Sequence, residues 1–190
     1  MRLKRTLLVF SMMVPAIPAL AHTGIHPASG LVDGLAHPFS GLDHMLAMIA
    51  VGLFAAALGG RAHWAVPATF TSMMLIGGIM GFVGIEVPAV EAGIALSVVI
   101  LGAVLASGIR CLISVATALT GMFAIFHGYA HGTEMPMGAT AALYSLGFVS
   151  ATALLHGVGL ALGIVLGHRQ TFHRLAGVGI SVAGIVLSLS

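Results

Sequence analysis

Apolar runs of membrane-spanning length follow one another along most of the chain, separated by short connections rich in Gly, Pro or charge. The pattern predicts six spans, at residues 36–58, 66–83, 93–109, 111–131, 140–167 and 175–189. A helix needs about 20 apolar residues to cross the hydrocarbon layer, and only a helix or a closed barrel satisfies its own backbone there. No connection is long enough for a soluble domain. The expected fold class is therefore all-α, a polytopic membrane bundle of about six transmembrane helices.

A different segment precedes these spans. Arg2, Lys4 and Arg5 lead into a short apolar run over residues 6–17, weakened as a helix by Pro15 and Pro18, which ends at Ala19-Leu20-Ala21. A basic start, a short apolar stretch and small residues at its end describe a secretory signal peptide; the alternative is an uncleaved first span. Residues 1–21 are read as signal peptide and residues 22–190 as one transmembrane domain. Cleavage leaves His22 as the N-terminus, outside the cytoplasmic membrane.

Composition sharpens this picture. Of 190 residues, 59% are hydrophobic and 6% charged, with mean hydropathy +1.13. A soluble domain carries about 25% charge, so a soluble fold and a disordered chain are both excluded. The formal charge of +2 belongs to the leader: without its three basic residues, four Arg face five acids. The high pI of 9.2 thus gives no reason to expect a nucleic-acid partner. With His22 outside, Arg61, Arg110, Arg169 and Arg174 all fall in cytoplasmic loops, as the positive-inside rule requires. Glu86, Glu91 and Glu134 fall outside. The expected location is a bacterial cytoplasmic membrane, multi-pass, with the mature N-terminus and the C-terminus external.

Histidine outnumbers either sign of formal charge, with 10 residues. Ionisable groups within spans are costly and default to functional candidates. One cluster is His37-Pro38-Phe39-Ser40-Gly41-Leu42-Asp43-His44. Pro38 suits a first helical position, which would make His37 the extended residue before it. In a straight helix His37 and His44 share a face but lie too far apart to hold one ion. Unwinding around Pro38 and Gly41 would fold His37 back, as in the broken helices of transporters. The second cluster runs from Phe126 to Glu134. Its His127 and His131 are four apart on one helix face, a common way to offer two imidazoles to one metal. Both clusters fall in the outer halves of their spans, so Asp43, His44, His127 and His131 can meet. His156 lies deeper, as a possible relay. Imidazoles with one carboxylate suit a borderline divalent metal better than Mg or Ca.

Other candidates read more simply. His63, His168 and His173 sit with Arg in cytoplasmic loops and are expected to be solvated; Asp33 and Glu134 are expected at the interface. Cys111, the one cysteine, excludes a disulfide framework and reads as a small apolar residue. Gly77 and Gly81, and Gly159, Gly163 and Gly167, recur every fourth residue, which lets helix backbones approach closely in lipid. A Gly-x-x-x-x-Gly-Lys-Ser/Thr loop for ATP is missing from the sequence.

In these two motifs the sequence resembles the HupE/UreJ family of nickel/cobalt permeases. The family's His-Pro-x-x-Gly-x-Asp-His pattern is matched at His37, Pro38, Gly41, Asp43 and His44. Its Phe-His-Gly-x-Ala/Val-His-Gly-x-Glu pattern is matched at Phe126, His127, Gly128, Ala130, His131, Gly132 and Glu134. The resemblance covers essentially the whole chain. It implies a non-enzymatic secondary transporter importing Ni²⁺, or Co²⁺, for nickel enzymes such as hydrogenase or urease. The metal ligands expected are His37, Asp43, His44, His127, His131, Glu134 and His156, with the ion as cargo and no prosthetic group. The competing reading is an intramembrane zinc-dependent hydrolase with Ser40 near the metal.

Overall fold

The computed structural model describes residues 29–135, 139–167 and 170–189. The signal-peptide reading, His22, His168 and Arg169 lie outside the described residues. Seven α-helices and one 3₁₀ turn make up the described chain: α1 (Ser29–Ala36), the 3₁₀ turn His37–Phe39, α2 (Leu42–Leu58), α3 (Ala62–Phe82), α4 (Val90–Ser107), α5 (Ile113–Thr133), α6 (Ala141–Leu166) and α7 (Gln170–Leu187). Five of them, α3 to α7, are long and apolar enough to span a bilayer.

The first predicted span is built differently. The segment Gly30–Phe39 meets α2 at 81°, so the first predicted span is broken rather than straight. Pro38, without an N–H, sits within the 3₁₀ turn. Gly41 is the extended residue, at φ −110° and ψ 122°, and His37 is helical instead of extended. A side chain on Gly41 would come within 2.7 Å of Asp43 Oδ1 and 3.1 Å of His44 Nδ1, so glycine here keeps the start of α2 open. Docking of α1 along α6 holds the bend.

Helix starts also shift. α3 begins four residues before its predicted start with Pro67 inside it, and α7 begins five residues before its own. The main packed pairs are α3 with α5, α4 with α7, and α2 with α6. Glycine makes the α3–α5 seam possible: a Cβ on Gly128 would overlap the Met74 carbonyl. Dispersion replaces the hydrophobic effect as the force between helices in lipid, so this closeness contributes directly to stability. Met48, Val51, Phe54, Phe70, Met74, Val98 and Leu101 fill the centre, while Ile79, Phe82, Val165 and Leu175 face outward. Trp64 is exposed beside Arg61, as suits an interfacial ring.

Candidate metal site

The break before α2 and the end of α5 face each other across a cavity of about 210 Å³. Its lining includes His37, Asp43, His44, Glu91, His131 and Glu134. Five of the seven expected ligands therefore share one cavity at one end of the bundle. His127 adjoins it, its ring centroid 4.8 Å from that of His44, and His44 is 4.4 Å from His131 by the same measure.

Hydrogen bonds fix which nitrogen each imidazole offers. Asp43, in the first turn of α2, accepts from the His44 backbone N–H at 2.7 Å and from His44 Nδ1 at 2.9 Å. An ionised carboxylate only accepts, so the His44 proton is on Nδ1 and the Nε2 lone pair is free. Nε2 is buried and without a hydrogen-bond partner. At His127 the arrangement is reversed. Ser97 Oγ donates to the Ile94 carbonyl at 2.6 Å, which uses its single proton. It must then accept from His127 Nε2, 2.8 Å away. Nδ1 of His127 is left with a free lone pair, buried and unpartnered. Both ring nitrogens of His131 are buried without partners. Three neighbouring imidazoles thus carry unused lone pairs, and such outer partners are how proteins orient metal-binding histidines. Leaving a polar group unpaired in the interior costs about 1–3 kcal/mol, a cost that a bound cation would remove.

A second, more exposed group lies beside the first. Nε2 of His37 is 3.0 Å from Glu134 Oε2, and the His37 ring centroid is 4.7 Å from that of His131. Donor atoms of His37, His131 and Glu134 all lie within 4.8 Å of one another. Two ligands each about 2.0–2.1 Å from one ion stand at most about 4.2 Å apart, so a small ring rotation closes this set. The bend therefore brings His37 to Glu134 and His131, and gives it no face in common with His44 on a continuous helix.

Deeper in the bundle, His156 is buried with both nitrogens unpartnered. The fully buried Phe70 separates it from the cluster, with centroids 5.2 Å from His156 and 5.8 Å from His127.

Two expectations need correction. His173 is not a solvated loop residue: it lies in α7 and is 7% exposed. Glu91 is not merely a loop acid, since it occupies the first turn of α4 and lines the cavity. Asp43 lines the cavity with its side chain 29% exposed. The positioning role of Ser97 has no sequence signature, because a serine in an apolar helix resembles any other. Nor is Ser97 with His127 a nucleophile–base pair, since the serine proton points to Ile94. Ser40 donates to the His37 carbonyl at 2.6 Å, which leaves the hydrolase reading without an activated hydroxyl at this site.

Comparison with known proteins adds an independent line. A family model described as HupE / UreJ protein matches residues 10–187. The curated "Protein HupE" of Rhizobium leguminosarum bv. viciae is 43% identical over 186 residues, covering 97% of this chain and 96% of that protein. No solved structure matches.

Proposed function

Since the chain belongs to the HupE/UreJ family, we propose that it is a secondary transporter that imports nickel, or cobalt, across the cytoplasmic membrane. The observation that carries this reading is the grouping of His37, His131 and Glu134, whose donor atoms all lie within 4.8 Å of one another, beside His44 and His127 with their buried, unpartnered ring nitrogens, at the carboxylate-bearing end of the bundle. Neutral imidazoles beside Asp43 suit a borderline divalent ion. On this reading that end faces outward, and the end carrying Arg61, Arg110 and Arg174 faces the cytoplasm, in keeping with the positive-inside rule.

The ion first meets His37 and Glu134, which exchange its hydration water for protein ligands. His131 turns it inward to His44 and His127, where Asp43 offsets part of its charge. Phe70 closes the way to His156 until the helices shift. A divalent ion entering an inside-negative membrane gains about 4.6 kcal/mol per 100 mV, about two-thousandfold in accumulation, so no ATP-binding domain is needed. The reading includes no enzymatic step.

Uptake of radiolabelled nickel into vesicles containing the purified protein, with cobalt as competitor, tests the proposal. Voltage-dependent accumulation is expected. Vesicles that bind nickel without accumulating it would overturn transport.

A further inference from the structure

At the opposite end of the bundle from the carboxylates, a second cavity of about 370 Å³ opens among α2, α3, α4, α6 and α7. Its polar lining is His63, Arg110, Gln170 and His173, with Phe54 and Gly163 among its apolar wall. His173 is the unusual member. It is 7% exposed, and its Nδ1 is buried without a hydrogen-bond partner. Its ring lies against α6 at Gly163 and Gly167, where a Cβ on Gly163 would stand 3.2 Å from its Cε1. A buried imidazole with an idle nitrogen, beside a cavity lined by another imidazole, has the chemistry of a metal ligand.

Placement links this cavity to the first site. His156 and Gly163 are seven residues apart on α6 and both buried. Seven residues make two turns, so they share a face about 10.5 Å apart along the axis. His173 therefore stands one step beyond His156 in the direction away from the outer cluster. The cavity's lining includes no carboxylate among the described residues, and the Arg110 guanidinium repels a cation. A site of this composition holds a divalent ion weakly, as a point of release requires.

We propose that His173 and His63 form a second binding site for a borderline divalent cation, at the end of the bundle that carries the arginines. Its role as an exit rests on the transport reading, whereas its existence is tested by binding alone.

The test is equilibrium titration of the purified full-length protein with Ni²⁺ against a chromophoric chelator. H44A/H131A removes the outer ligands and is expected to keep one weak equivalent. Adding His173→Gln, which retains a polar side chain of similar reach, is expected to abolish that equivalent. Adding His63→Ala should weaken it at least about tenfold, and adding His156→Ala should leave it in place. In the otherwise native chain, His173→Gln should keep the outer equivalent and slow uptake into vesicles. An H44A/H131A protein that binds no ion overturns the proposal. So does residual binding that survives loss of His173, or that vanishes with His156 alone. If wild-type vesicles fail to accumulate nickel while the residual equivalent still depends on His173, the site stands and the transport reading falls.

Discussion

Ser97 and His127, on α4 and α5, are joined by a 2.8 Å hydrogen bond in which the serine is the acceptor. The direction follows from the serine's other bond, to the Ile94 carbonyl. Ser97→Ala removes the acceptor and lets the His127 proton move to Nδ1, the nitrogen otherwise left with a free lone pair. Nickel affinity is expected to fall about 10–100-fold, the usual effect of losing such an outer partner. Ser97→Thr, which retains the hydroxyl, should restore most of it. Titration of both variants checks this.

Asp43 acts on His44 by hydrogen bond and by charge. Asp43→Asn keeps an oxygen that can accept from Nδ1 but loses the negative charge. Uptake of nickel is expected to drop at least about tenfold at normal membrane abundance. Near-wild-type uptake in Asp43→Asn would assign its role to orientation alone.

Phe70 separates His127 from His156 with no polar group of its own. In Phe70→Ala the apolar plug is gone, and hydrophobic constrictions of this kind control passage by excluding water. Nickel binding at the outer cluster should be unchanged, while flux through vesicles rises and discrimination against zinc declines. Flux measured with both ions checks the expectation.

Protons compete for the same lone pairs as the metal. Imidazole titrates near pH 6.5 in the absence of other influences, and ligands must be deprotonated to bind. Lowering the pH is therefore expected to weaken nickel binding, with protons released on binding wherever a ligand was protonated beforehand. Titration in two buffers of different ionisation enthalpy measures that release.

Gly128 packs onto the Met74 carbonyl in the α3–α5 seam. Gly128→Ala forces the helices apart, at a cost of about 1–3 kcal/mol for such overpacking. A lower thermal midpoint in detergent is expected, together with weaker nickel binding, because α5 carries His127 and His131.

Helical periodicity made part of this site legible. His127 and His131 are four apart, and any helix through them presents both to one side. The first motif was less determined. Pro38 and Gly41 permit either a straight helix or a break, and the choice lies with the packing of α1 on α6, which no local pattern encodes. Ser97 stayed hidden because its partner is thirty residues away. Glu91 read as a loop residue because α4 begins just after Ala89, whose left-handed conformation (φ 55°) has no clear local signal. His173 was misread through its neighbours: Arg174 beside it is exposed, yet the helix turns the adjacent imidazole inward.

His131 belongs to both outer groups, near His37 and Glu134 on one side and near His44 and His127 on the other. One neutral imidazole has a single lone pair to give. Two ions could be held at once only if the ring lost its second proton and bridged them, which neutral pH strongly opposes. On the transport reading the entrance works as a turnstile, admitting the next ion only after the previous one has been released from His131. Saturation of uptake with external nickel should then follow a simple hyperbola with a Hill coefficient of about one, since a higher value needs two cooperating sites that can be full together.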